Sequence, residues 1–161
     1  MLRFILLIFL CITAIANAHG GTPVVVPDTM AERVRACTLC HSAEGKAGRD
    51  AYYPRIAGKP QGYLFNQLRN FRDARRYYQP MAILLENMSD EYLLEIAQYF
   101  SSLQLPYPAP EQIHMQPEEI KLAERLVHSG KPEKDIPACS ACHGDSLMGV
   151  EPAIPGLLGL S

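Results

Sequence analysis

The chain has 161 residues, with 15 Lys and Arg against 17 Asp and Glu, five Cys and no Trp. That length holds one or two small domains. A 48% share of apolar residues excludes a disordered chain, and a net charge of −2 argues against nucleic acid as a partner.

The first elements are not part of the fold. Met1-Leu2-Arg3 carries one positive charge, residues 4–15 are apolar apart from Thr13, and Ala16-Asn17-Ala18 is a small-x-small site. This is the pattern of a secretory signal peptide, residues 1–18, cleaved after Ala18. The run is short for a membrane span, which needs about 20 residues. Cys11 lies inside it, next to Leu10, and no lipoprotein site is formed. The mature chain is expected to be exported, so disulfides are permitted.

Four cysteines remain, and their arrangement points elsewhere. They stand as Cys37-Thr38-Leu39-Cys40-His41 and Cys139-Ser140-Ala141-Cys142-His143. Residues i, i+3 and i+4 share one face of a helical turn. Two thiols so placed can form thioethers to one haem, and the adjacent imidazole can face the iron. Two zinc-ribbon knuckles stand roughly 15–20 residues apart; here the pairs lie a hundred positions apart. A thioredoxin-like site needs a βαβ context, and no strand pattern surrounds either pair. The sequence therefore predicts two covalent haem c groups, with Cys37, Cys40, Cys139 and Cys142 as tethers and His41 and His143 as proximal iron ligands.

The motifs belong to an internal repeat. Pro54-Arg55-Ile56-Ala57-Gly58 follows the first motif, and Pro155-Gly156-Leu157-Leu158-Gly159 follows the second. A short helix is predicted before each, over 29–36 and 117–129. Between the repeats, Leu105-Pro106-Tyr107-Pro108-Ala109-Pro110 reads as an extended linker. In the first repeat, Leu64, Leu68 and Phe71 predict a helix over 61–75. Tyr77-Tyr78-Gln79-Pro80-Met81 breaks it. Ser89 is an N-cap candidate, with Asp90 and Glu91 favourable in the first turn. Leu93, Ile96, Ala97, Phe100 and Leu103 then mark a last amphipathic helix. The expected organisation is all-α: a first domain at 19–104, a linker at 105–116, and a partial second copy at 117–161.

Met81 is the candidate distal ligand of the first iron. It follows Pro80 in an expected interhelical loop, 40 positions after His41, far enough to reach the opposite haem face. Met88, beside the Ser89 cap, reads as core packing. Met148 stands too close to His143 to reach around a haem, and Met115 precedes the motif. The second haem is expected to lack a sixth protein ligand in these residues. His19, His114 and His128 read as surface or satisfied histidines. Arg69, Arg72, Arg75 and Arg76 cluster in and after one helix, as a solvated face or a docking patch for an acidic partner.

Taken together these residues resemble class I c-type cytochromes, most closely the two-haem cytochrome c4 family. Cys37 to His41, Pro54 to Gly58, Tyr63-Leu64 with Gln67-Leu68, Met81, and Ser89-Asp90 carry the resemblance. It implies a cytochrome c-like helical fold and periplasmic electron transfer, without a chemical substrate. It implies redox partners such as a terminal oxidase or a quinol-oxidising complex, with peripheral membrane association as an option. It also implies that the Pro54 carbonyl accepts a hydrogen bond from His41, and that of Pro155 one from His143. Ser42 departs from the family's usual Gly after the first motif; Gly144 keeps it in the second. Two other functions fit the motifs: a haem-bearing subunit of a membrane oxidase or dehydrogenase complex, and a haem sensor or enzyme using an open second iron.

Overall fold

In a computed structural model the described residues are 25–48, 52–109, 112 and 114–158. The expected signal peptide, His19 and Gly159 lie outside them. Among the described residues the chain is mostly helical, and no helix is long and apolar enough to cross a membrane.

The first motif lies within a helix. Thr29 caps α1 (Met30–Arg33), its side chain accepting from the Glu32 amide, and Val34 breaks the path before α2 (Arg35–His41). α2 therefore contains Cys37, Cys40 and His41. A tight turn over Ala43–Gly45 follows. α3 spans Gln61–Arg72. It ends three residues before the predicted stop because Asp73 caps it and Ala74 adopts a left-handed backbone at φ 57°. α4 (Gln79–Leu85) starts with Pro80 in its first turn, a position where the missing proline N–H costs nothing. Met81 thus lies at the start of a helix, not in the expected loop. Ser89 caps α5 (Asp90–Ser102), accepting from the Tyr92 amide at 3.3 Å.

α3 and α5 pack against each other, and Leu64, Leu85, Leu93, Ile96, Ala97 and Phe100 form the core with Val34. Leu93, Ile96, Ala97 and Phe100 sit three and four apart, so one stripe of α5 is buried, and α3 and α4 add Leu64 and Leu85 to it. The four clustered arginines each have a polar partner nearby, and Arg75 and Arg76 stay exposed. Arg72 binds Asp73 at 2.9 Å and Asp90 at 2.6 Å, Arg75 binds Asp73, and Arg76 donates to the Gln67 side chain at 2.7 Å. Arg69 and Arg72, both paired with Asp90, tie α3 to the start of α5.

The second repeat is smaller. α6 spans Pro117–Ser129, opened by a capping box between Gln116 and Glu119. α7 (Ser140–His143) carries the end of the second motif. A two-stranded antiparallel ribbon, β1 (Gly149–Val150) with β2 (Ile154–Pro155), follows it. The ribbon was not anticipated: two residues per strand leave no periodicity to read. No α6 residue is buried.

Candidate haem sites

The first site is a cavity of about 470 Å³ enclosed by the core helices. That size is in the range of small-molecule and cofactor sites, about 300–1,000 Å³. α2 contributes Cys37, Cys40 and His41; α3 contributes Leu68 and Phe71; α4 contributes Met81; α5 contributes Ile96 and Phe100. The walls are mainly apolar, as a planar macrocycle requires. The two thiols and the imidazole share the cavity because they share one face of α2.

His41 is fixed by its outer nitrogen. Nδ1 donates to the Pro54 carbonyl at 2.8 Å. A carbonyl can only accept, so Nδ1 carries the proton and Nε2 keeps a lone pair for a metal. Pro54 is held in turn by the Gly45 carbonyl, which accepts from the Ile56 and Ala57 amides at 2.9 and 3.0 Å. The Gly58 amide donates to the Phe100 carbonyl at 2.8 Å and ties the same loop to α5. Burial pushes the Cys37 thiol up from its ordinary pKa of 9.0, while Cys40 is exposed.

Met81 and His41 line the same cavity from opposite elements, α4 and α2. Met88 packs instead against the core cluster, and Arg72 donates to its carbonyl at 3.1 Å. Two further groups on the wall escaped sequence reasoning. Tyr52 and Tyr53 meet edge to face at 5.2 Å, and Tyr78 meets Tyr52 at 5.6 Å, forming an aromatic rim. Arg55 and Lys59 are buried on the wall, and among the described residues neither reaches a carboxylate in an ion pair. Buried cations are normally paired. Their donors go to backbone carbonyls instead, those of Ala57, Leu105 and Pro106 for Arg55 and those of Gly156 and Leu158 for Lys59. The apolar walls, the imidazole and the two thiols fit haem.

The second motif repeats the first one's local geometry. His143 Nδ1 donates to the Pro155 carbonyl at 2.7 Å. Cys139 and Cys142 are exposed on and beside α7. Both hydrogen bonds implied by the resemblance are therefore present, at the same loop position of each repeat. His114, His128, Met115 and Met148 do not line the first cavity.

No protein-family model matches the chain. Cytochrome c4 of Pseudomonas aeruginosa is 32% identical over 150 residues, which cover 92% of this chain and 68% of that protein. The chain belongs to the cytochrome c4 family. Reduced recombinant cytochrome c4 from Pseudomonas stutzeri superimposes with a TM-score of 0.64 at 27% identity, over 76% of this chain and 66% of that one. A thiosulfate dehydrogenase electron acceptor of Thiomonas intermedia is 39% identical over 127 residues. Those residues cover 78% of this chain and 57% of that protein, so the chain spans little more than half of that relative. The chain is thus a cytochrome c4-like class I c-type cytochrome.

Proposed function

We propose that this chain is an exported, periplasmic one-electron carrier with a haem c attached at each motif. In this reading Cys37 and Cys40 tether the first haem, His41 is its proximal ligand and Met81 its distal ligand. Cys139, Cys142 and His143 repeat the tethering and proximal roles. The domains run over 19–104 and 117–161, joined by the linker at 105–116. The observation that carries the reading is His41: a buried imidazole whose Nδ1 is held by the Pro54 carbonyl at 2.8 Å, in an apolar cavity that also receives Cys37, Cys40 and Met81.

Bound haem c supplies an iron couple that takes up and releases single electrons. The chain's residues prepare that couple. The Pro54 carbonyl orients the His41 ring and makes it a stronger donor. The thioether of Met81 favours the reduced state relative to a second nitrogen ligand. Leu68, Phe71 and Phe100 line the cavity with apolar surface that would exclude water from a bound haem. No general acid or base is needed for this work, and no substrate is transformed.

A terminal oxidase or quinol-oxidising complex fits as partner on the family resemblance. The Thiomonas relative favours a second kind of donor, a thiosulfate dehydrogenase. Anaerobic stopped-flow mixing tests both parts of the proposal. The oxidised holoprotein, mixed with a thiosulfate dehydrogenase and thiosulfate, is expected to develop the sharp reduced c-type α-band. Thiosulfate alone is expected to leave the band undeveloped. Turnover of thiosulfate by the isolated chain would replace the carrier reading with an enzyme.

A further inference from the structure

Lys59 is 3% exposed and Arg55 is 4% exposed. Arg55 spends its donors locally, on the Ala57, Pro106 and Leu105 carbonyls, with its guanidinium 4.1 Å from the centre of the Tyr107 ring. Lys59 does not. Its Nζ crosses to the other repeat and donates to the Gly156 carbonyl at 3.0 Å and the Leu158 carbonyl at 3.5 Å. Gly156 follows Pro155, whose carbonyl holds His143. Pro155, Gly156 and Leu157 also wall the first cavity. Lys59 therefore belongs to both sites: the residue lines the first cavity, and its Nζ grips the loop that orients the second proximal histidine.

The backbones meet at the same place. A Cβ on Gly62, in the first turn of α3, would stand 2.5 Å from the Pro152 carbonyl oxygen. Only glycine lets α3 approach the second repeat this closely. Burial, and then the Arg55 charge, push the Lys59 pKa down from its ordinary 10.5. The charge stands where it is costly, and a neutral side chain could have filled the space.

We propose that Lys59 is a positioning residue for electron exchange between the two haem sites, pinning residues 155–158 against the first cavity and setting one buried positive charge beside both. This rests on the reading that both motifs carry haem. A positive charge in a region of low dielectric opposes the loss of an electron from a nearby iron, so it raises the tendency of the site to stay reduced. The same charge, shared by both sites, shifts them in the same direction while the pin keeps their separation fixed.

The test uses the full holoprotein with Lys59→Gln and Lys59→Met. Haem per chain is measured first and is expected to equal the wild-type value in both variants. Wild-type protein without covalent haem would refute the parent reading, and hydrogen exchange would still report on the pin. Spectroelectrochemical titration is expected to move both variants to lower potential, by about tenfold in the one-electron equilibrium, ~59 mV. Amide exchange over 154–158 is expected to speed up at least about tenfold in Lys59→Met and less in Lys59→Gln, which keeps a donor. Titration curves that superimpose on wild type, with haem retained, overturn the proposal. So does unchanged exchange in Lys59→Met. Faster exchange with unmoved potentials leaves a merely structural lysine and overturns it too.

Discussion

Gly45 lies under the first haem site without touching it, and Gly45→Ala is expected to be among the most damaging small substitutions. Its backbone stands at φ 73°, in the left-handed region. A side chain there costs about 1–2 kcal/mol. A Cβ would also meet Ile56 Cγ1 at 2.6 Å and the Phe100 ring at 3.0 Å. Phe100 is fully buried in the core and cannot swing away. Overpacking of this kind costs roughly 1–3 kcal/mol. The sum is about 2–5 kcal/mol, a large part of the stability of a small domain. Guanidinium unfolding of the holoprotein, followed by far-ultraviolet circular dichroism, is expected to show the midpoint falling by about 0.5–1 M at unchanged slope. The damage has a functional face. The Gly45 carbonyl holds the Ile56 and Ala57 amides, and Pro54 beside them orients His41. The potential of one haem is therefore expected to shift along with the stability. Lys46→Ala, on the exposed neighbour, serves as control. A Gly45→Ala midpoint within about 0.1 M of wild type would refute the packing argument.

Three other outcomes follow from the same geometry. Met81→Leu is expected to remove the weak near-infrared sulfur-to-iron band of the ferric protein and lower one potential, whereas Met88→Leu is expected to leave the band; the reverse pattern would exchange the two roles. Phe100→Ala removes a fully buried ring and is expected to cost about 3–5 kcal/mol in denaturant unfolding. Asp73 is held below its ordinary pKa of 3.8, mainly by the Arg72 hydrogen bond. Its native pKa is lowered, so its stabilising contribution is present above pH 3.8 and is lost as pH falls below it; Asp73→Asn is expected to weaken the acid dependence of the melting temperature measured between pH 5 and pH 2.5.

The chemistry was legible where it is local. Cys37, Cys40 and His41 fall on one helix face because their spacing is that of a helical turn, and the same holds for Ser89 ahead of α5. Pro54 and Pro155 can be paired because the repeat carries them 13 and 12 residues after His41 and His143. Lys59 could not be read this way. Its partners lie 97 and 99 positions further on, and nothing in Gly58-Lys59-Pro60 distinguishes it from a surface lysine. Gly45 is equally silent in sequence, since its role comes from Ile56 and Phe100 closing over it. α3 ends three residues before its apolar pattern suggests because Ala74, ordinarily a helix former, is turned left-handed beside the Arg72–Asp73–Arg75 cluster. In sequence Pro80 signals a break, yet it opens α4, and Met81 lies on that helix and not in a loop.

The central claim is that each C-x-x-C-H motif holds a haem through two thioether bonds. Intact mass spectrometry of the exported protein after acid-acetone extraction tests it most directly, since only covalently attached haem survives that treatment. Two retained haem masses per chain are expected, falling to one when Cys139 and Cys142 are both replaced by alanine. A mass equal to the bare polypeptide would contradict the account.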